Sequence, residues 1–427
     1  MPTGDGLLAR VHPPLGMLTP DQARTVAEGA RQFGNGHLDL TARANLQIRG
    51  VTEATRTELA ELLATAGLGD VRADGGPQRS TLTSPLAGRD AGEVFDVPAL
   101  ARAIEAAALA IPGLPAKTLV VVEGRRAVAL PDADCLVFAD DRDGVVIAVA
   151  TDRGRRDLLT CPAQEAAPLV ARLLAAFARS GRRRMRDLSD DERAGLADML
   201  GGTRAAGSCQ SVRATERGDA PLRGAPFGPA AGLRTAPDLQ ILALDAPFGR
   251  CTADALDRVA AAAAAIGADA IRLSPTRGFV LAAAAGARAE PVLAGLADAF
   301  IVAPEDPRRS IDACTGAPGC ASGSTPTLAD AARVAALFGK LAAQGRTAHV
   351  SGCAKGCARP GPTDLTLVGR GGLYGIVIDG GPGDEPAIDL PIEAVLERLG
   401  RAKTVGLAAA FAPEAARTES GRTRRPA

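Results

Sequence analysis

The chain has 427 residues, room for about two to four domains, and 46% of them are hydrophobic while 3% are aromatic, so its core is built from Ala, Leu and Val. Forty-nine basic residues balance 49 acidic ones, which excludes a general nucleic-acid or membrane-surface role driven by basic excess. No N-terminal stretch reads as a signal peptide and no apolar run is long enough to span a bilayer, so a cytoplasmic, reducing location is expected. There, eight cysteines point to metal or redox chemistry more than to disulfides.

Residues 8–27, LARVHPPLGMLTPDQARTVA, read as strand, Gly turn and capped helix, and HLDLTARANLQIRG follows as further strand. Val122-Glu123-Gly124 precedes DADCLVFADDRDGVVIAVA (132–150), a hairpin with a Gly-containing turn. The basic run GRRRMRD (181–187) reads as a solvated helix end. Residues 201–237 carry many Gly and Pro without periodicity and read as a linker. Residues 241–260, ILALDAPFGRCTADALDRVA, then repeat residues 8–27 at an offset of 233: Gly16 meets Gly249, Thr19 meets Thr252, Asp21 meets Asp254 and Val26 meets Val259. AIRLSPTRGFVL supplies the following strands. A fainter repeat sets 132–150 against TDLTLVGRGGLYGIVID (363–379), also a hairpin. Its GRGGLYG is no dinucleotide loop, because Tyr374 takes the sixth position and the stretch lies in a hairpin. Residues 411–427 read as a disordered tail.

Cys135, Cys161, Cys209 and Cys251 are scattered singly and read as small packed side chains. Cys314, Cys320, Cys353 and Cys357 form two pairs, CTGAPGC and CAKGC, 32 residues apart. Between them TLADAARVAALFGKLAAQ has Val334, Leu337, Phe338 and Leu341 at helical spacing. Thr325 is expected as its cap and Pro326 as its first helical position. A helix of about 16 residues rises about 24 Å, and RTAHVSG can return as a strand, bringing the pairs together. Structural zinc prefers shorter Cys knuckles. Four thiolates on Gly-rich loops suit a [4Fe–4S] cluster, with Lys355 and Arg359 offsetting its charge. In the fainter repeat Arg125 falls where Cys353 stands, so the first copy cannot hold a cluster.

The motifs CTGAPGCASG, HVSGCAKGCARP, LTARANLQIRG, RSTLTSPLAG and LPAKT, spread over residues 6 to 400, resemble those of the sulfite and nitrite reductase superfamily, and SPLAG with HVSGCAKGCA resembles its precorrin-3B synthase branch. The resemblance implies an α+β fold in duplicate, two ferredoxin-like half-domains (6–60 and 238–300) and two α/β lobes (75–200 and 301–410) about a pseudo-two-fold axis. Cys314, Cys320, Cys353 and Cys357 would then hold the [4Fe–4S] cluster, with Cys357 nearest any bound tetrapyrrole. Arg43 in TARANLQ, Arg79 in RSTLTSP and Lys117 in LPAKT would face an anionic substrate. The chain departs from the reductases at three places: Leu119 stands at a second lysine position, Ala116 at an arginine, and Ser80 at an asparagine. A small-anion cage is thereby depleted, and a pocket for a macrocycle is favoured.

In that branch the tetrapyrrole is substrate. The implied reaction is oxidation of precorrin-3A by O2, with a hydroxyl placed on C20 and the ring A acetate closing a γ-lactone onto C1, in aerobic cobalamin biosynthesis. O2 activation needs a metal or flavin, and no flavin fingerprint is present, so a mononuclear non-haem iron is expected in addition to the cluster. Electrons from NAD(P)H would arrive through a separate reductase. Arg49 and Arg277 are further candidates for gripping carboxylates. His12, His37 and His349 are the only histidines; His349, four residues before Cys353, is a candidate ligand or proton donor. Two alternatives remain: a siroheme-dependent sulfite or nitrite reductase, which the departures at Ala116 and Leu119 disfavour along with siroheme itself, and a non-enzymatic iron–sulfur carrier or redox sensor.

Overall fold

The computed structural model describes residues 2–142, 144–201 and 227–412. The chain forms two compact units, Leu8–Val302 and Met1–Leu7 with Ala303–Ala427.

The repeat at offset 233 is a repeat of structure. Strand Gly6–Val11 leads through a short 3-10 turn at Pro14–Gly16 to helix Pro20–Phe33, strands His37–Leu40 and Leu46–Val51, and helix Arg56–Thr65. Strand Leu239–Asp245, the turn Pro247–Gly249, helix Ala253–Ala265, strands Ile271–Ser274 and Gly278–Ala284 and helix Ala289–Ala294 follow the same order. In each copy the last strand lies between the other two, the split β-α-β arrangement of ferredoxin-like domains. The helix starts have a chemical cause. Thr19 Oγ1 accepts from Gln22 N at 3.1 Å while Gln22 Oε1 accepts from Thr19 N at 3.0 Å, a capping box, and Thr252 Oγ1 accepts from Ala255 N at 3.1 Å. Left-handed backbone also repeats: Leu15 and Phe248 have φ of 53° and 56°, and Ala44 and Arg277 have 52° and 64°. Such values are uncommon without glycine, so their recurrence at one offset marks duplication.

The copies exchange edges. Met17–Leu18 pairs antiparallel with Ile271–Ser274, and Arg250–Thr252 pairs antiparallel with His37–Leu40. The registers Leu18↔Ile271 and Leu38↔Cys251 are related by the same offset. Asp39 fastens one exchange, accepting from Arg250 Nε at 2.6 Å and from Arg49 of its own copy at 2.8 Å.

The remainder of this unit contains a five-stranded sheet in the order Gly154–Cys161, Val145–Thr151, Cys135–Ala139, Val120–Glu123 and Thr81–Thr83, its last three strands parallel. Helices Val97–Leu109 and Ala163–Arg179 cover it through Ile104, Val170, Leu173 and Phe177, all fully buried against Val122, Val137 and Ile147. The smaller unit has the same plan: Ile311–Ala313, Ala348–Ser351, Thr363–Arg370, Leu373–Gly380 and Ile388–Leu390, with the first three parallel. The fainter sequence repeat is thus a shared topology. Helix Thr327–Ala343 joins the first two strands and buries Val334, Phe338 and Leu341. It begins one position later than the sequence suggests. Pro326 is the flanking residue, no side chain caps it, and Thr325 is buried instead.

Two differences concern the chain between and after the copies. Strand Gly232–Ala236 pairs with Leu239–Asp245, so part of the expected linker belongs to a sheet. Phe411 is buried, so packed structure continues past 410. The rest of the expected linker and tail, at 202–226 and 413–427, lies outside the described residues, as does Cys209. Among the described residues no helix is long and apolar enough to cross a membrane.

Candidate functional site

The two cysteine pairs come together in the smaller unit. Cys314 follows strand Ile311–Ala313 directly, and Cys353 follows Ala348–Ser351, the parallel neighbour. The strand ends therefore deliver both loops to one edge of the sheet. Gly352 N donates to Cys314 Sγ at 3.1 Å, Cys314 N donates to Val350 O at 3.3 Å, and Ser324 N donates to Gly352 O at 3.2 Å. The close approach requires glycine: a Cβ on Gly352 would stand 3.1 Å from Gly316 Cα, 3.2 Å from Gly323 Cα and 3.6 Å from Cys314 Sγ. Lys355 Nζ donates to Ser322 Oγ at 3.0 Å, tying one cysteine loop to the other. Burial, and after it the thiols of Cys314, Cys353 and Cys320, push the Cys357 thiol up from its ordinary range. All four are free thiols, with Cys357 exposed and the others half-buried.

No three or more His, Cys, Asp or Glu side chains among the described residues converge tightly enough for a single metal ion. A zinc ion would draw its ligands to one centre at about 2.3 Å. A cubane takes one thiolate per iron, so its four sulfurs surround a volume instead of a point. The cysteine loops are kept close by glycines, and the Gly352 N–H reaches Cys314 Sγ, a setting suited to that second demand. Around them Thr327 Oγ1 donates to the Cys314 carbonyl at 2.6 Å, and Tyr374 donates to the buried Asp330 at 2.6 Å. Arg359 is paired with Asp312 at 3.2 Å, so its charge is engaged by that carboxylate.

The first lobe answers the same positions with an ionic knot. Arg125 binds Glu123 at 2.8 Å and Asp90 at 3.6 Å and donates to Phe227 O at 3.0 Å. Glu93 joins them, its Oε2 accepting from Gly88 N at 2.9 Å.

The arginine motifs lie in the larger unit. Arg43 sits in a tight loop where Thr41 Oγ1 accepts from Arg43 N at 3.3 Å and Asn45 N at 3.2 Å. Its guanidinium donates to Lys117 O at 2.9 Å, and the Lys117 side chain is exposed. Arg79 is placed differently from the expectation that it faces substrate. It is buried and donates to the carbonyls of Pro13 at 3.0 Å, Ala44 at 2.9 Å and Arg43. Burial draws it down to about 10. It braces the Arg43 loop. Arg49 is likewise tied into the Asp39 pair. Leu119 is buried at 3% exposure, so no cation replaces the missing lysine from that position.

Arg184 lies in the basic run that reads as a solvated helix end, but its side chain is partly buried. Its Nε donates to the fully buried Asp134 at 2.9 Å, and Asp134 Oδ2 accepts from Leu119 N at 3.1 Å. A signal existed in the arginine-rich run, but not in its partner 50 residues earlier. The histidines are dispersed: His349 is fully buried in strand Ala348–Ser351, His12 is half-buried and held near 4 by burial and then Arg79, and His37 is exposed. They form no facial set with carboxylates for a mononuclear iron among the described residues. Cys135 and Cys251 are buried thiols, Cys251 raised to about 12 by burial.

Duplicated ferredoxin-like halves, duplicated α/β lobes and a single four-thiol edge define a protein of the nitrite and sulfite reductase class. A family profile described as the nitrite/sulfite reductase ferredoxin-like half domain matches residues 1–66. The solved structure of the NirA protein of Mycobacterium tuberculosis superimposes with a TM-score of 0.67 over 92% of this chain and 80% of that one, at 21% identity. The chain is 25% identical over 402 residues to the chloroplastic ferredoxin–nitrite reductase of Arabidopsis thaliana, covering 85% of this chain and 67% of that one. It is 32% identical over 420 residues to a precorrin-3B synthase of Sinorhizobium sp., covering 94% of this chain and 86% of the relative. The chain belongs to the precorrin-3B synthase family, and it is an oxidoreductase.

Proposed function

We propose that this chain is an O2-dependent monooxygenase that converts precorrin-3A to precorrin-3B. One oxygen atom becomes the C20 hydroxyl and the ring A acetate closes a γ-lactone onto C1. The other oxygen atom leaves as water, with two electrons and two protons from the reductant. The observation that carries this reading is the continuous match to a precorrin-3B synthase along 94% of the chain. The site chemistry supports it. With Arg79 occupied by carbonyls and Leu119 buried, the cations needed to cage a small anion are depleted. Arg43 and Lys117 remain as cations suited to substrate carboxylates.

Cys314, Cys320, Cys353 and Cys357 would hold a [4Fe–4S] cluster, which when bound supplies one-electron transfer. The N–H of Gly352 sets the orientation of Cys314 Sγ, and Thr327 fixes the carbonyl of the same residue. These contacts hold the Cys314 sulfur in place before any cluster is built. A separate reductase would pass electrons from NAD(P)H. The mononuclear iron expected from the sequence has no ligand set among the described residues.

The test begins with anaerobic purification and analysis of iron, sulfide and the visible spectrum. About four irons and four sulfides per chain, with broad absorption and no sharp tetrapyrrole bands, are expected. Incubation with precorrin-3A, a reductant and 18O2 should then give a product heavier by one labelled oxygen. Absence of that product, or siroheme bands accompanied by sulfite or nitrite reduction, overturns the proposal.

A further inference from the structure

We infer that Arg184 is a second carboxylate-binding arginine, set beside Arg43 by Asp134 to grip a polycarboxylate macrocycle. This deepens the function proposed above and rests on it for the choice of substrate class.

The two guanidiniums attach to one short segment, Arg43 directly at Lys117 and Arg184 through Asp134 at Leu119. Arg43 donates to the carbonyl of Lys117 at 2.9 Å. Arg184 donates through Nε to Asp134 at 2.9 Å, and the other oxygen of Asp134 accepts from Leu119 N at 3.1 Å. Asp134 is wholly buried and also accepts from Met185 N at 3.0 Å, so its position is fixed from three sides. Among the described residues Arg184 is held by Nε alone, which leaves its two terminal amino groups as a forked donor. Its side chain is 23% exposed, enough for a ligand to reach it.

Among the described residues no carboxylate is hydrogen-bonded or ion-paired to Arg43. Arg43 is half-buried and its one side-chain hydrogen bond goes to a neutral carbonyl. Burial and then the charge of Arg184 make its cationic form harder to hold, with only partial relief from Asp134 and Asp132. Asp134 is shared with Arg184 and relieves Arg43 only in part, and a bound carboxylate would add charge-assisted hydrogen bonds at both guanidiniums. Arg184 also restores, through Asp134, a cation to the segment where Leu119 has replaced one. It does so from a more distant backbone position, which suits acid groups on the rim of a macrocycle more than a single small anion.

The test uses the full-length protein and uroporphyrin III, an octacarboxylate macrocycle whose own fluorescence anisotropy reports binding. Arg184→Gln should bind it at least about ten-fold more weakly than wild type, with a shallower dependence of affinity on salt. Arg184→Lys keeps the charge and the reach to Asp134 but lacks the fork, so it should recover only part of the loss. The uncharged octamethyl ester should not distinguish the three proteins. With precorrin-3A, Arg184→Gln should raise KM and leave kcat near wild type. Equal affinity of wild type and Arg184→Gln, full recovery by lysine, or no binding of uroporphyrin by wild type each overturns the inference. If wild type turns over precorrin-3A with a KM that Arg184→Gln does not change, the inference fails and the proposed function stands. If no turnover occurs but Arg184→Gln loses uroporphyrin, the function fails and the subsite stands.

Discussion

Glu93 shows what a duplicated lobe does with room its twin gives to thiols. Its carboxyl is half-buried beside Glu123, Asp90 and Arg125, and one oxygen, Oε1, is buried without a hydrogen-bond partner. Burial raises it from 4.5 to about 7, the Gly88 N–H opposes, and Glu123 and Asp90 add to the rise. Between those two pH values the folded chain holds a proton that the unfolded chain has released. Stability from this residue is therefore present below pH 4.5 and lost as pH climbs through 7. Glu93→Gln abolishes that loss, so its urea midpoint should gain on wild type between about pH 5 and pH 8. A difference that stays constant with pH would show that the carboxyl does not titrate in this window. Side-chain identity alone made Arg125 incompatible with a cluster. The knot that Arg125 forms with Glu123 and Asp90 was not legible, because those partners are brought to it by the loop before helix Val97–Leu109 and by its own strand end.

At the scale of elements, what the sequence makes legible is what local chemistry determines. Thr19 and Thr252 cap helices because a hydroxyl can satisfy N–H groups three residues on. Val334, Phe338 and Leu341 bury one helical stripe. The cysteine loops follow from the parallel strands that end in them, and their glycines from the contact between loops. Gly352→Ala tests that last point. The added methyl would press on the Cα atoms of Gly316 and Gly323 at 3.1 and 3.2 Å and stand 3.6 Å from Cys314 Sγ. The loops would have to yield by a few tenths of an ångström and carry the thiols with them. Iron and sulfide content should drop while far-UV circular dichroism stays unchanged, because the buried strands beneath do not move. Full iron content in the variant would mean the glycine packing does not position the thiols. The strand exchange at Met17–Leu18 and Arg250–Thr252 was not legible. Two- and three-residue edges carry too few side chains to specify a partner more than 210 residues away.

For the larger unit that exchange has a consequence for cooperativity. Each ferredoxin-like copy completes its sheet with a strand from the other, so neither copy can open without stripping an edge from its neighbour. Asp39 is the ionic fastening of one such edge, and both its arginines are shielded: Arg49 is 4% exposed and Arg250 19%. Exposed pairs contribute little, but removing one member of a buried pair leaves charge that the interior solvates poorly. Asp39→Asn should therefore cost about 3 kcal/mol in urea unfolding. Since the pair joins the copies, the backbone amides of Leu38 and Cys251, which face each other across the exchanged edge, should lose hydrogen-exchange protection together. Arg250→Ala should add little once Asp39 is replaced, because the two side chains act as one contact. If Asp39→Asn costs under about 0.5 kcal/mol, as an exposed pair would, or if Leu38 and Cys251 exchange independently, the copies are not held together at this edge and the interlocked register is only a geometric coincidence of duplication.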